Sequence, residues 1–425
     1  MAAEPTVGDG ESPGREAGGG PPLARMLLYS AGSVGTGAFF AFNNFVLPPI
    51  LKAFGASDLL IGLLSSTRSI EGVVIQPTVG ALSDRVWTPL GRRRPFILIA
   101  APLSAAFFFA ATTATSLLPL TIMIFLFSVF FNVAADPYAA LVADIAPLDR
   151  RGLLNGLATG VQLLSQVAFL FVLVLVSSGG NVPPWTYLAV GVLLLVGFAV
   201  TVVGVPEKAE RTEPDERVPL REYVAALGAH RAAVSYLGII FVYQFGLNAI
   251  QPYLVLFVID DIHQSQRVGF ALAGLILLVT AIAAVALGKL ADRLGTRPVL
   301  ALGWVLLALG AIGGTVVQTL PQTIAVVVMA GVGNGAATAA AWPLLTALIP
   351  SEKTGVFAGL KAASESIALP LSVVVAAEIF LPRLGYRGIF AMLAVTIVLA
   401  LLLLLRFVQV PRAATRDVLP NGASG

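Results

Sequence analysis

The 425 residues contain no cysteine, which excludes disulfide bridges, thiolate metal sites and cysteine nucleophiles together. Histidine occurs twice, and neither a His-Glu-x-x-His helix nor a phosphate-cradling Gly-x-x-x-x-Gly-Lys-Ser/Thr loop appears. No cofactor, no metal and no enzymatic reaction are expected. Charge is scarce: 12% of the residues are charged against 57% hydrophobic, an apolar surplus that no water-soluble core of this length hides. No Asn-x-Ser/Thr sequon occurs, so nothing asks for glycosylation.

What is present is a series of long apolar runs. They lie near 26–47, 59–82, 96–117, 119–143, 153–176, 184–205, 232–258, 268–288, 298–317, 321–349, 355–380 and 388–408, and ~20 residues suffice for one helical crossing. The expectation is an all-α integral membrane protein with twelve transmembrane helices. Residues 1–22, rich in Gly and Pro, read as a disordered tail. Residues 23–205 form one six-helix bundle, 206–230 a charged linker, 231–410 a second bundle and 411–425 a tail. With both termini inside, loops on the inner side carry 20 Lys and Arg and outer loops four, Lys52, Arg267, Arg383 and Arg387. The positive-inside rule therefore predicts cytoplasmic termini, and a plasma or inner membrane location is the expectation.

The halves repeat. Gly80-Ala-Leu-Ser-Asp84-Arg85, followed by Gly91-Arg92-Arg93, returns 208 residues later as Gly288-Lys-Leu-Ala-Asp292-Arg293-Leu-Gly295-Thr-Arg297. Pro147-Leu-Asp149-Arg150-Arg-Gly152 returns 203 residues later as Pro350-Ser-Glu352-Lys353-Thr-Gly355. Two six-helix pseudo-repeats of this kind resemble the major facilitator fold, whose solute site lies between the halves near mid-membrane. The stretch Gln76-Pro77-Thr-Val79-Gly80-Ala-Leu-Ser83-Asp84-Arg85, a five-residue spacer and Gly91-Arg92-Arg93-Arg94-Pro95-Phe96-Ile97 resembles the sucrose-transporter branch of the glycoside-pentoside-hexuronide cation symporters. Pro137-Tyr138-Ala-Ala140-Leu141-Val-Ala143-Asp144 resembles the end of the fourth helix in bacterial members, with Ala139 where they often carry arginine. The resemblance implies alternating access, helices 1, 4, 7 and 10 along the pathway, and a conformational latch made by Gly80, Asp84, Arg85, Arg92, Asp292, Arg293 and Arg297.

Polar residues inside spans need a cavity or another helix to face. Asn43 and Asn44 stand in the first span, Gln162 and Gln166 in the fifth, and Asn334 in the tenth. Gln244, Asn248 and Gln251 fall at i, i+4 and i+7, one face of the seventh. Amides both donate and accept, which suits hydroxyl-rich ligands, and Tyr243, Tyr253 and Trp342 add stacking faces. These residues are the expected substrate site; interhelical packing is the alternative. Arg68 with Glu71, and Lys361 with Glu365, are intramembrane charge partners one turn apart, roughly 15 Å into an apolar layer of about 30 Å. Each pair is either a structural lock or part of substrate or proton binding. Asp136 has no basic residue within one turn, and burial without a fixed partner favours a proton carrier; its alternative role is to cap a helix break before Pro137. Asp136, Glu71 and Glu365 are thus the proton-coupling candidates.

The function expected is proton-coupled symport of a sugar, a disaccharide or glycoside such as sucrose or maltose. A proton-driven exporter of amphipathic compounds or of a lipid-linked sugar, and a passive sugar facilitator, are the rival readings. The expected partners are a small-molecule substrate, H+ and membrane lipid, with no nucleic acid and a monomeric state.

Overall fold

The protein, seen in a computed structural model, is described over residues 23–66, 75, 78–80, 82–83, 88–146, 150–177, 182–207, 228, 230–350 and 353–408. Among them, eleven helices are long and apolar enough to cross a membrane. They are α1 (Leu23–Ala53), α3 (Arg94–Thr113), α4 (Leu117–Ile145), α5 (Arg151–Val176), α6 (Trp185–Gly204), α7 (Arg231–Asp260), α8 (Gln266–Leu294), α9 (Thr296–Val316), α10 (Leu320–Thr346), α11 (Val356–Leu384) and α12 (Tyr386–Phe407). The first two turns of the remaining span are α2, Asp58–Leu64. Eleven of the sequence-derived spans each coincide with one of these helices, and part of the twelfth, 59–82, lies outside the described residues. Arg68, Glu71, Asp84 and Arg85, together with the tails and most of the linker, lie outside the described residues.

Packing repeats as the sequence does. α1 packs on α5 and α6, and α3 on α4 and α6; α7 packs on α11 and α12, and α9 on α10 and α12. Every one of these N-terminal contacts recurs six helices later. The turns repeat in detail as well. Ser57 caps α2 by accepting from the Leu60 N–H, and Ser265 caps α8 by accepting from the Val268 N–H. Gly55 and His263, at matching places in the two turns, are both left-handed, with φ of 81° and 56°.

Prolines shape α1 and α7. A π-helical segment, Phe42–Val46, precedes Pro48 and Pro49 in α1, and a 3₁₀ turn, Gln251–Tyr253, contains Pro252 in α7. Proline lacks an N–H, so the hydrogen-bond ladder shifts register beside it. Pro137 does not end its helix: α4 runs unbroken from Leu117 to Ile145. Asp136 is therefore not the cap of a helix break, because neighbouring turns carry the chain past the missing bond.

The halves meet at the end of the bundle that carries Lys52. Lys52 Nζ donates to the Asp260 carboxylate and, at 2.9 Å, to the Tyr386 hydroxyl. The Tyr253 hydroxyl donates to the Asp58 carbonyl at 2.7 Å. Phe39, Phe42 and Leu47 of α1 share one buried core with Leu254, Val255 and Phe257 of α7. This end is sealed.

Candidate functional site

Below the seal lies a cavity of about 360 Å³, within the ~300–1,000 Å³ of small-molecule sites. Its wall comes from three helices of the second half. α7 contributes Tyr243, Gln244, Asn248 and Gln251; α10 contributes Asn334, Thr338 and Trp342; α11 contributes Lys361 and Glu365. The amide stripe read from helical periodicity is thus one wall of a real cavity, and the second-half charge pair is another.

These side chains are tied to each other. Lys361 Nζ donates to Glu365 Oε1 at 2.6 Å, and Gln244 Nε2 donates to the same oxygen at 3.1 Å. The Tyr243 hydroxyl donates to Asn334 Oδ1 at 2.9 Å, joining α7 to α10. Behind it, Tyr243 stacks on the fully buried Trp304 with ring centroids 5.2 Å apart. Gln251 Oε1 accepts from Asn44 Nδ2 at 3.4 Å, the point where α1 reaches the site. Trp342 keeps 38% of its surface exposed and offers an aromatic face. The arrangement supplies fixed amide donors and acceptors, one cation and one carboxylate, the equipment for binding a polar solute.

Other candidates lie elsewhere. Asn43 is buried in the π segment of α1, its Nδ2 without a partner among the described residues. Gln162 and Gln166 belong to α5 and are not among the residues that line the cavity. Tyr253 is spent on the seal. Asp136, half-buried on α4 with Oδ2 closed to solvent, is likewise not a lining residue.

The opposite, strongly basic end carries the loop motif. Arg92 and Arg93 pair with Asp144 of α4 at 2.8 and 3.1 Å. The Glu207 carboxylate, just after α6, accepts from the Arg93 N–H at 3.0 and 3.2 Å. Burial pushes the Glu207 carboxyl above its ordinary range, while that N–H holds it down. Gly91 sits at φ 106°, and a Cβ there would collide with the Glu207 carboxylate. In the second half, Arg297 donates to the Leu405 carbonyl at 2.9 Å, and Asp292 and Arg293 are exposed. Gly80 is half-buried. Arg92 thus pairs within the first half and Arg297 within the second, while Asp84 and Arg85 lie outside the described residues.

Sequence reasoning missed Lys52, Asp260 and Glu207. The first two were detectable: they occupy the same repeat position, 208 residues apart, with opposite charge. Glu207 gave no signal, because it follows a span and reads as the first acid of a charged linker.

A family model described as Major Facilitator Superfamily matches residues 29–279 and 236–423. The chain belongs to the Major Facilitator Superfamily. Its family and fold are those of multi-pass membrane transporters, not of enzymes. It is 27% identical over 323 residues to the multidrug resistance protein MdtG of Serratia proteamaculans, covering 73% of this chain and 76% of that one. It is 34% identical over 88 residues to the sucrose transport protein SUT2 of Oryza sativa subsp. indica, 20% of this chain and 18% of the relative. The fold of a mutant of the nucleoside transporter NupG matches with a TM-score of 0.73 over 91% of this chain and all of that one, at 10% identity. The superfamily fold implied by the repeated loops is thus the observed one.

Proposed function

We propose that this major facilitator is a secondary active transporter that carries a sugar together with a proton by alternating access. The observation that carries the reading is the cavity on α7, α10 and α11, where Gln244, Asn248, Gln251 and Asn334 surround an aromatic face and an ion pair. Amides suit hydroxyl groups, which both donate and accept. The bundles 23–205 and 231–410 are the moving halves, with both termini cytoplasmic, so the Lys52 end faces outward and the state is closed to the outside. Asp136, Glu71 and Glu365 are the acids available to carry the proton. The transporter acts as a monomer in the plasma or inner membrane.

A second reading, proton-driven export of amphipathic compounds, draws on a specific observation: likeness to MdtG runs over most of the chain, whereas likeness to SUT2 is confined to a short segment. The test is uptake of radiolabelled sucrose and maltose into proteoliposomes under an imposed inward proton gradient. Accumulation that a protonophore abolishes supports symport. Uptake that only equilibrates indicates a facilitator. Absence of sugar uptake by folded protein, with proton-driven efflux of a cationic dye, transfers the assignment to the exporter.

A further inference from the structure

We infer that a second binding site lies at the sealed end of the first half, takes an uncharged aromatic molecule carrying one acceptor oxygen, and holds the seal shut when occupied. The inference does not depend on what the central cavity carries.

The site is a cavity of about 270 Å³, just under the ~300–1,000 Å³ of small-molecule sites. It shares no lining residue with the cavity on α7, α10 and α11. Its wall brings together Ile50 and Phe54 at the end of α1, Ala111 and Leu120 on either side of the α3–α4 turn, Tyr187 of α6 and Gln266, the first residue of α8. No Asp, Glu, Lys or Arg is among the lining residues, so a charged ligand would shed its water there without a counter-ion. A polyol is excluded as well, because most of the wall is aliphatic or aromatic and its hydroxyls would go unpaired.

Two polar groups stand in this apolar wall without a partner. Tyr187 is only 7% exposed, and its hydroxyl makes no hydrogen bond among the described residues. Its ring packs against the fully buried Phe42 and Phe108, with centroids 4.8 and 5.1 Å apart. Neither phenylalanine lines the cavity, so the phenol oxygen is the part of Tyr187 left to meet a ligand. A buried hydroxyl left unpaired costs the desolvation of that group, and buried polar groups in folded proteins have a partner, from the protein or from outside it. The Gln266 amide is likewise without a hydrogen bond among the described residues. Thr112, by contrast, donates to the Phe109 carbonyl at 2.7 Å. One acceptor oxygen on the ligand satisfies the Tyr187 phenol, and an aromatic body matches the rings of Phe54 and Tyr187.

Occupancy bears on the seal because the wall crosses it. Ile50 and Phe54 flank Lys52 in the chain, and Lys52 pairs with Asp260. Among the described residues, Gln266 alone lines the cavity from the second half. Opening the Lys52 end carries Gln266 away from the other walls and takes the cavity apart. A ligand that binds the complete cavity better than the opened one favours the sealed state by the ratio of the two affinities.

The test uses acetophenone, whose carbonyl accepts a hydrogen bond, and isopropenylbenzene, the same skeleton with a methylene in place of that oxygen. Binding is titrated by ligand-observed NMR on the full chain in lipid nanodiscs, with empty nanodiscs subtracted. Tyr187→Phe is expected to weaken acetophenone about two- to tenfold, the loss of one neutral hydrogen bond, and to leave isopropenylbenzene unweakened. Ala114→Phe, which fills the cavity from the α3–α4 turn, should weaken both. In a Gln251→Cys background, saturating acetophenone should slow labelling by an impermeant thiol reagent supplied from the Lys52 side about fivefold, the lower end of ordinary coupling between sites. Equal acetophenone affinity in wild type and Tyr187→Phe, or no binding at all, overturns the site; water or a lipid chain then fills it. Binding that leaves the labelling rate unchanged overturns the link to the seal. If Ala114→Phe is not recovered folded, the two probes compared across wild type and Tyr187→Phe decide alone, since that change deletes a single oxygen.

Discussion

Lys52, at the end of α1, donates to the carboxylate of Asp260, at the end of α7, and the two residues are counterparts in the repeat, 208 positions apart. The seal at this end is therefore made by the same position of each half meeting across the pseudo-twofold axis, with opposite charges chosen for the two copies. Tyr386 and Arg387 extend it: the Tyr386 hydroxyl meets Lys52, and Arg387 lies 3.7 Å from Asp261. Burial raises the Asp261 carboxyl above the ordinary aspartate range, against the pull of Arg387.

Breaking this pair is expected to open the seal modestly. The side chains are 42% and 33% exposed, and solvent-exposed ion pairs contribute about 0.2–1 kcal/mol. Asp260→Asn should thus shift the closed-to-open ratio by about 1.4- to fivefold. The natural absence of cysteine makes the measurement clean: a single cysteine at Gln251 should react that much faster with an impermeant thiol reagent supplied from the Lys52 side. The charge swap Lys52→Asp with Asp260→Lys should return the rate toward that of the parent.

Glu207 gives a pH dependence of defined sign. Its carboxyl is raised by burial, so over the window from the ordinary glutamate range up to its folded value the native state holds more proton than the unfolded chain. Stability contributed by this group falls as pH rises through that window. The melting temperature of wild type minus that of Glu207→Gln should therefore decrease from pH 4 to neutrality. A flat or rising difference contradicts the burial of this acid.

Gly91 and Glu207 should also be coupled. At φ 106° an L-residue pays roughly 1–2 kcal/mol for the left-handed backbone, and the added methyl displaces the Glu207 carboxylate. Gly91→Ala should destabilise the protein in detergent by about 1–3 kcal/mol. Glu207→Ala should relieve only the collision, so the double variant is expected to fall short of the sum of the singles.

These relationships mark how far the sequence could be read. Hydropathy located the membrane helices because a span must bury its backbone in itself, whatever its neighbours do. The recurring loops placed the halves, since a repeat is visible without any contact. Periodicity put Gln244, Asn248 and Gln251 on one face, and the structure places that face on a cavity. Convergence was not legible. That Glu365 of α11 meets Gln244 of α7, or that Tyr243 bonds Asn334 rather than a solute, depends on how helices about 100 residues apart in sequence are docked, and no local spacing encodes it. Gln162 and Gln166 show the reverse case: a polar face on α5 whose side chains do not line this cavity.

Tyr243 is expected to act through Asn334. Its hydroxyl occupies Asn334 Oδ1, so Tyr243→Phe frees that acceptor while the stack on Trp304 survives. Loss of one such bond costs about 0.5–1.5 kcal/mol, and solute affinity should change about two- to tenfold with little loss of folding. Asn334→Asp, by contrast, adds a charge to the cavity and should alter solute binding far more than Tyr243→Phe does.

Gly62 is where closure is set by size. A Cβ on this α2 glycine would collide with Val373 Cγ1 of α11 and the Tyr253 hydroxyl of α7, so the halves approach this closely only because no side chain intervenes. The contact joins the two halves, so overpacking of about 1–3 kcal/mol is expected to act on the conformational balance more than on folding. Gly62→Ala should favour the state open on the Lys52 side, on the order of tenfold, and raise labelling of the Gln251 cysteine from that side. Tyr253→Phe alone loses the bond to the Asp58 carbonyl and should also loosen the seal. Combined with Gly62→Ala, however, it removes one of the two colliding atoms, so the double variant should open less than the sum of the singles predicts. Strict additivity would mean that Gly62 matters for something other than this approach.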